Sequence, residues 1–312
     1  MSVIKPQKPV GASLALALIF AALFALPGNS LSTEFDYYPQ ILWRHLEILC
    51  SFGPRNPGSP GHQEARQYIK QIGQKYADKV VEQAFTYRSA DNKTFSLHNI
   101  ELIFEGREAG RPILLGAHYD TRPHADEDPD PKAQNTPILG ANDGGSGSAV
   151  LLALAQYFSK HKPRRPMRLV FFDGEDYGRK GSGEYFLGSI HYARQVQKTR
   201  KEDWPKFVLI VDMVGDKDLQ IFKEVNSLNS AAGLVDLIHD VAERKGVRQF
   251  KNKSKYTIQD DHIPFIQIGI PSAVLIDFDY PHWHTLEDTL DKCSKESLFA
   301  AFSVVAQAME EI

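Results

Sequence analysis

Four continuous apolar runs constrain this chain more than any other feature, because each ends in a turn that carries acidic or histidine side chains. They are "RPILLGAHYD" (residues 111–120), "RLVFFDGED" (168–176), "FVLIVDMVGD" (207–216) and "SAVLIDFD" (272–279). Runs of this length without polar alternation read as strands buried on both faces. Between and after them, "GSGSAVLLALAQYFSKH", "SGEYFLGSIHYARQVQ", "SAAGLVDLIHDVAERKG" and "SKESLFAAFSVVAQAMEEI" carry apolar residues at helical spacing. Doubly buried strands alternating with helices predict a three-layer α/β/α sandwich around a mixed, largely parallel sheet. In such sheets ligands gather beyond the carboxyl ends of the strands.

The ends of these runs pose a chemical problem. Glu175 and Asp176 stand side by side after a buried strand, and adjacent ionised carboxylates repel more strongly as water is withdrawn. A metal ion, a shared proton or exposure to water would each relieve them. Other turns supply further donors: His118 and Asp120 in "GAHYDT", Asp143 in "GANDGGSG", Asp212 in "DMVGD" and His284 in "YPHWHTLEDT". Taken singly these are ordinary caps and loop histidines. Taken together, two histidines and several carboxylates at successive strand ends form an N/O donor set suited to zinc. The ion would relieve Asp176 and leave Glu175 beside it as a general base. Asp120, two residues beyond His118 in an extended segment, lies on the same side and would orient that imidazole.

The order "GAHYDT", "GANDGGSGSAVLLALA", "FFDGED", "DMVGD", "WHTLEDT" resembles the zinc exopeptidases, the co-catalytic aminopeptidases. "NPGSPGHQEARQYI", "LGSIHYA", "DDHIPF" and "PHWHTLED" further resemble the glutaminyl cyclases, which share that fold. The cyclase resemblance implies one zinc held by Asp143, Asp176 and His284, with Glu175 moving protons. It also implies a supporting carboxylate network of Asp212 and Asp260, and Trp283 as a wall of the substrate pocket. The aminopeptidase resemblance implies a second zinc on His118 and Asp212, with Asp143 bridging. The sequence departs from the cyclases at Asp176, where they usually carry Glu, and at Val274, where they place a His. Both readings take the N-terminus of a peptide or protein as substrate. They differ in the nucleophile, which is the substrate's own α-amine in a cyclase and a water in an aminopeptidase.

The remaining features bound the setting. Lys5 and Lys8 precede an apolar run from Val10 to Leu26 and a Pro-Gly-Asn-Ser turn, which predicts a secretory signal or uncleaved membrane anchor over residues 1–33. A single catalytic domain over 34–312 is then expected outside the cytoplasm, touching membrane only through that segment. A net charge of -3 offers no basic footprint for nucleic acid. Cys50 and Cys293 form no CxxC pair, which excludes a zinc ribbon and leaves their pairing open. The polar insert "RPHADEDPDPKAQNTPILG" reads as a solvated surface loop.

Overall fold

The structure is a computed structural model that describes residues 35–312; the predicted leader over 1–33 lies outside the described residues. From Tyr38 to Ile312 the chain forms one unit. In chain order its elements are α1 (Tyr38–Ser51), α2 (Pro60–Tyr76), β1 (Lys79–Arg88), β2 (Thr94–Phe104), β3 (Ile113–His118), α3 (Gly145–Lys160), β4 (Met167–Phe172) and α4 (Leu187–Val196). There follow β5 (Phe207–Val211), β6 (Ile221–Lys223), α5 (Val225–Arg244), β7 (Phe250–Ser254), α6 (Ile263–Gln267), β8 (Ser272–Leu275) and α7 (Lys295–Glu311).

The four apolar runs become β4, β3, β5 and β8, hydrogen-bonded in that order and all parallel. Every residue of β3 and β8 is buried, as continuous apolar runs require. At the β4 edge the sheet continues through β2 and then β1, both pairings antiparallel, so β2 alone runs against the other strands. One face is covered by α3, which packs with α1 and α7. The opposite face holds Leu114, Val170, Phe172, Val208 and Ile210 against Tyr192 of α4 and Phe265 of α6. The expected three-layer sandwich with a mixed sheet is therefore present.

One packing contact fixes the position of the site. A Cβ on Gly147 would lie 2.0 Å from the carbonyl oxygen of Val211, so only glycine lets α3 approach β5 this closely. The start of α3 is thereby brought against the end of β5, and the turns that follow β3, β4 and β5 meet it along one edge of the sheet.

The polar insert departs from its expected character. Its first residue, Arg122, is 1% exposed, and Asp128 is buried, accepting the backbone N–H of Leu286 at 3.0 Å. The first half of the insert folds inward because Arg122 finds carboxylates there. Cys50 and Cys293 are both free thiols.

Candidate metal centre and substrate pocket

Each predicted ligand is placed by a local device. His118 is the last residue of β3. Asp143 precedes Gly144, which has φ +78° and where a Cβ would lie 2.3 Å from the carbonyl oxygen of Asp120; glycine is the residue that tolerates both. The buried carboxylate of Asp288 accepts the backbone N–H of Asn142 at 2.8 Å and of Asp143 at 3.1 Å, and the Tyr280 hydroxyl donates to it at 2.8 Å. Asp212 follows β5, where its N–H donates to the carbonyl of Leu275 at 3.0 Å. His284 sits at φ +56°, a conformation uncommon for a residue with a Cβ and found where the surrounding structure holds it.

These devices bring the side chains together as two triads sharing Asp143. His118, Asp143 and Asp212 form one, and Asp143, Asp176 and His284 the other; within each triad the candidate ligand atoms lie within 4.8 Å of one another. His118 Nε2 stands 3.2 Å from both Asp143 Oδ1 and Asp212 Oδ1. His284 Nε2 stands 3.4 Å from Asp143 Oδ2 and 3.3 Å from Asp176 Oδ1. Asp143 Oδ2 and Asp176 Oδ2 are buried with no hydrogen-bond partner among the described residues. Buried carboxylate oxygens without donors are costly unless a cation takes them. The donor set of imidazole and carboxylate fits zinc.

The charges point the same way. Burial acts to lower the pKa of both imidazoles, but Asp212, Asp120 and Asp143 hold His118 well above its ordinary value, and Asp176 and Asp143 raise His284 to about 9. These carboxylates favour a proton on each ring, and a metal ion bound to the rings would take the place of those protons.

Glu175 lines the pocket with Oε2 3.9 Å from His118 Nδ1. Its carboxyl is held well above the ordinary range by burial, reinforced by Asp176, Asp261 and Asp260 against the opposing pull of His118. Asp260 is buried at the pocket wall and is pushed up to about 7 by burial and by Asp212. Asp120, expected to orient the His118 imidazole, has Oδ1 3.6 Å from His118 Nδ1, too far for a strong hydrogen bond. Its oxygens instead accept the backbone N–H groups of Glu175 at 3.1 Å and Asp176 at 3.3 Å. Trp283 stacks on His284 with ring centroids 3.7 Å apart and, with Phe278, Ile276, Ile258 and Phe186, walls a cavity of about 590 Å³ above the carboxylates. Val274 is buried in β8, opposite Ile210.

Sequence reasoning missed three contributors. Arg122 donates from Nη1 to Asp176 Oδ1 at 2.6 Å, Asp126 Oδ1 stands 3.7 Å from His284 Nδ1, and Asp288 holds the backbone of Asp143. Arg122 and Asp126 lie in the insert whose composition is that of a loop. Asp288, in "TLEDT", gives no sign of its partner more than a hundred residues earlier in the chain.

Comparison with known proteins places this geometry. Residues 99–309 match the profile of Peptidase family M28. The chain is 26% identical over 259 residues to the glutaminyl-peptide cyclotransferase of Drosophila melanogaster, covering 75% of this chain and 70% of that protein. A Zn-dependent exopeptidase from Parabacteroides distasonis superposes with a TM-score of 0.83 at 30% identity, covering 89% of this chain and 99% of that one. Porphyromonas gingivalis glutaminyl cyclase superposes with a TM-score of 0.82 at 30% identity, covering 88% and 98%.

Proposed function

The chain belongs to peptidase family M28, and from that premise we propose that it is a zinc-dependent glutaminyl-peptide cyclotransferase. It would convert the N-terminal glutamine of peptides and proteins to pyroglutamate with release of ammonia. The observation that carries this reading is the cavity that has Trp283, Phe278 and Ile276 on its wall and Glu175 and the Asp143–Asp176–His284 triad in its lining. Such a pocket can take the uncharged glutamine side chain against its aromatic wall with the amide beside the proton carrier. The likeness to glutaminyl cyclases in sequence and in fold supports it.

Asp143, Asp176 and His284 would hold one zinc ion, whose chemistry is to polarise the side-chain amide carbonyl as a Lewis acid. Glu175, kept at a high pKa by burial, takes a proton from the substrate's α-amine as that nitrogen bonds to the side-chain carbonyl carbon. The same carboxyl returns the proton to the departing nitrogen as the old C–N bond breaks, so ammonia leaves and the lactam remains. Asp212 and Asp260 surround the path with carboxylates that keep the proton within the site. Residues 1–33 would export the chain or anchor it, and catalysis would then take place outside the cytoplasm.

A second reading is favoured by one observation: the His118–Asp143–Asp212 triad is intact. A second zinc there would suit an aminopeptidase, with water as nucleophile and Glu175 again carrying the proton. Incubating the purified protein with a Gln-initiated and a Leu-initiated peptide, with zinc counted on the same sample, separates the two. Loss of ammonia from the Gln peptide alone, with about one zinc per chain, is the expected result. Loss of a whole residue from the Leu peptide, with about two zinc ions, would replace the cyclase by the peptidase.

A further inference from the structure

Arg122 follows β3 on the connection that opens the polar insert, and its side chain is 2% exposed. A buried guanidinium must have its donors satisfied, and this one divides them between two carboxylates. Nε and Nη2 donate to Asp126 Oδ1 and Oδ2 at 2.6 and 2.7 Å, the paired geometry that a guanidinium and a carboxylate share. Nη1 donates to Asp176 Oδ1 at 2.6 Å, and Nη2 also donates to the Tyr185 hydroxyl at 3.1 Å. Arg122 Cζ also lies over the Tyr185 ring, 5.5 Å from its centroid.

The consequence concerns two of the three residues of the cyclase triad. Asp176 Oδ1 is engaged by Arg122, whereas Asp176 Oδ2 is buried without a partner among the described residues. Oδ1 also stands 3.3 Å from His284 Nε2, so chelation through both oxygens would make it share its lone pairs between Arg122 and the metal, and binding through one oxygen is favoured. Asp126 in turn is held with Oδ1 3.7 Å from His284 Nδ1, the ring nitrogen opposite the one that faces Asp143 and Asp176. Held there, Asp126 backs the imidazole and does not enter the triad.

Resting on the zinc reading above, we propose that Arg122 sets the metal selectivity of this centre by limiting the number of oxygens it can present. With Asp176 favoured to bind through one oxygen and Asp126 restrained behind His284, the triad offers few donors including a nitrogen, which suits zinc. Larger or harder cations such as manganese take more oxygen ligands. If the guanidinium were absent, Asp176 would be free to chelate through both oxygens and Asp126 to join it. Arg122 is a positioning residue: it acts through Asp176 and Asp126.

The test uses Arg122→Met and Arg122→Lys beside the wild-type protein, each checked for folding by circular dichroism. Zinc and manganese affinities are measured by competition with a chromophoric chelator, and coordination is read from the visible spectrum of the cobalt(II) form. The lysine keeps the charge but not the fork, and cannot serve both carboxylates in the same geometry. The expected result is that both variants lose zinc-over-manganese preference by about tenfold or more and show a weaker cobalt spectrum as oxygen ligands are added. Should the methionine variant fail to fold, the lysine variant carries the measurement. Wild-type preference and spectrum in the folded variants would overturn the proposal, as would full wild-type behaviour in the lysine variant alone. A wild-type protein that takes up neither zinc nor cobalt would instead overturn the zinc reading, and this inference with it.

Discussion

Asp120 Oδ1 accepts the backbone N–H of Glu175 at 3.1 Å. The residue two beyond His118 thus fixes the turn that carries the proposed proton carrier. Because the hold is on the backbone, the Glu175 side chain can be changed without releasing the turn. Glu175→Gln should lower turnover by about 10²- to 10⁴-fold while zinc content stays at the wild-type level. His284→Ala should lose both, since it removes a candidate ligand. Initial rates and metal content on the same preparations check this, and substantial turnover in the Glu175 variant would defeat the proton-carrier role.

Asp288 holds the successive backbone N–H groups of Asn142 and Asp143, and its removal would leave these and the Tyr280 hydroxyl, three buried donors, without an acceptor. Asp288→Ala should destabilise the protein by roughly 2–5 kcal/mol and weaken zinc by about tenfold or more as Asp143 loses its fixed position. Tyr280→Phe is the contrasting change. It removes one donor and leaves both backbone hydrogen bonds in place, so it should cost about 1 kcal/mol and leave zinc affinity intact. Urea unfolding and chelator competition separate the two; equal losses of zinc affinity would mean that the two backbone hydrogen bonds are not what holds Asp143 in place.

Gly147 sits where α3 touches the end of β5. Gly147→Ala forces its Cβ against the Val211 carbonyl oxygen, which lies 2.0 Å from the ideal Cβ position, and backbone cannot yield as a side-chain end can. The strain should reach roughly 3 kcal/mol or more. It should also weaken metal uptake, because Asp143 precedes α3 and Asp212 follows Val211. Gly233→Ala in α5 is the control: nothing lies within 4 Å of its Cβ, and it should gain about 0.5–1 kcal/mol from helix propensity. Thermal melts of the two variants should move in opposite directions.

What the sequence disclosed and what it withheld divide along the same physical line. Strands buried on both faces carry an unbroken apolar signal, so β3, β4, β5 and β8 were legible, and with them the edge where His118, Glu175, Asp176 and Asp212 stand. The β1–β2 hairpin was not, because β1 is an edge strand whose residues are exposed or half-buried, with Lys79, Glu82 and Gln83 among its apolar positions. Helices α1 and α2 were also unread; α2 has a negative mean hydropathy and opens on Pro60, although Ser59 caps it by accepting the N–H of His62. The residues that support the ligands escaped for a different reason. Arg122, Asp126 and Asp288 matter through partners distant in sequence, and a composition typical of a solvated loop conceals that Arg122 turns inward.

His284 links the charge of the site to pH. Burial favours the neutral ring, yet Asp176 and Asp143 overcome it and raise the pKa to about 9 from an ordinary 6.5. A folded-state pKa above the unfolded one stabilises the metal-free protein fully below about pH 6.5, and that stabilisation is lost as pH rises through about 9. For this one 5%-exposed side chain the loss amounts to roughly 3 kcal/mol. Zinc takes the place of the proton, since a ligating imidazole must be neutral, so the zinc-bound protein should not share this decline. The thermal shift produced by a fixed free zinc concentration, buffered by a chelator, should therefore grow between pH 6.5 and 8.5. It should do so because the metal-free melting temperature falls while the zinc-bound one holds. His284→Gln should abolish most of the growth. A shift independent of pH in the wild-type protein would show that His284 is not protonated in the metal-free site and that zinc does not displace its proton.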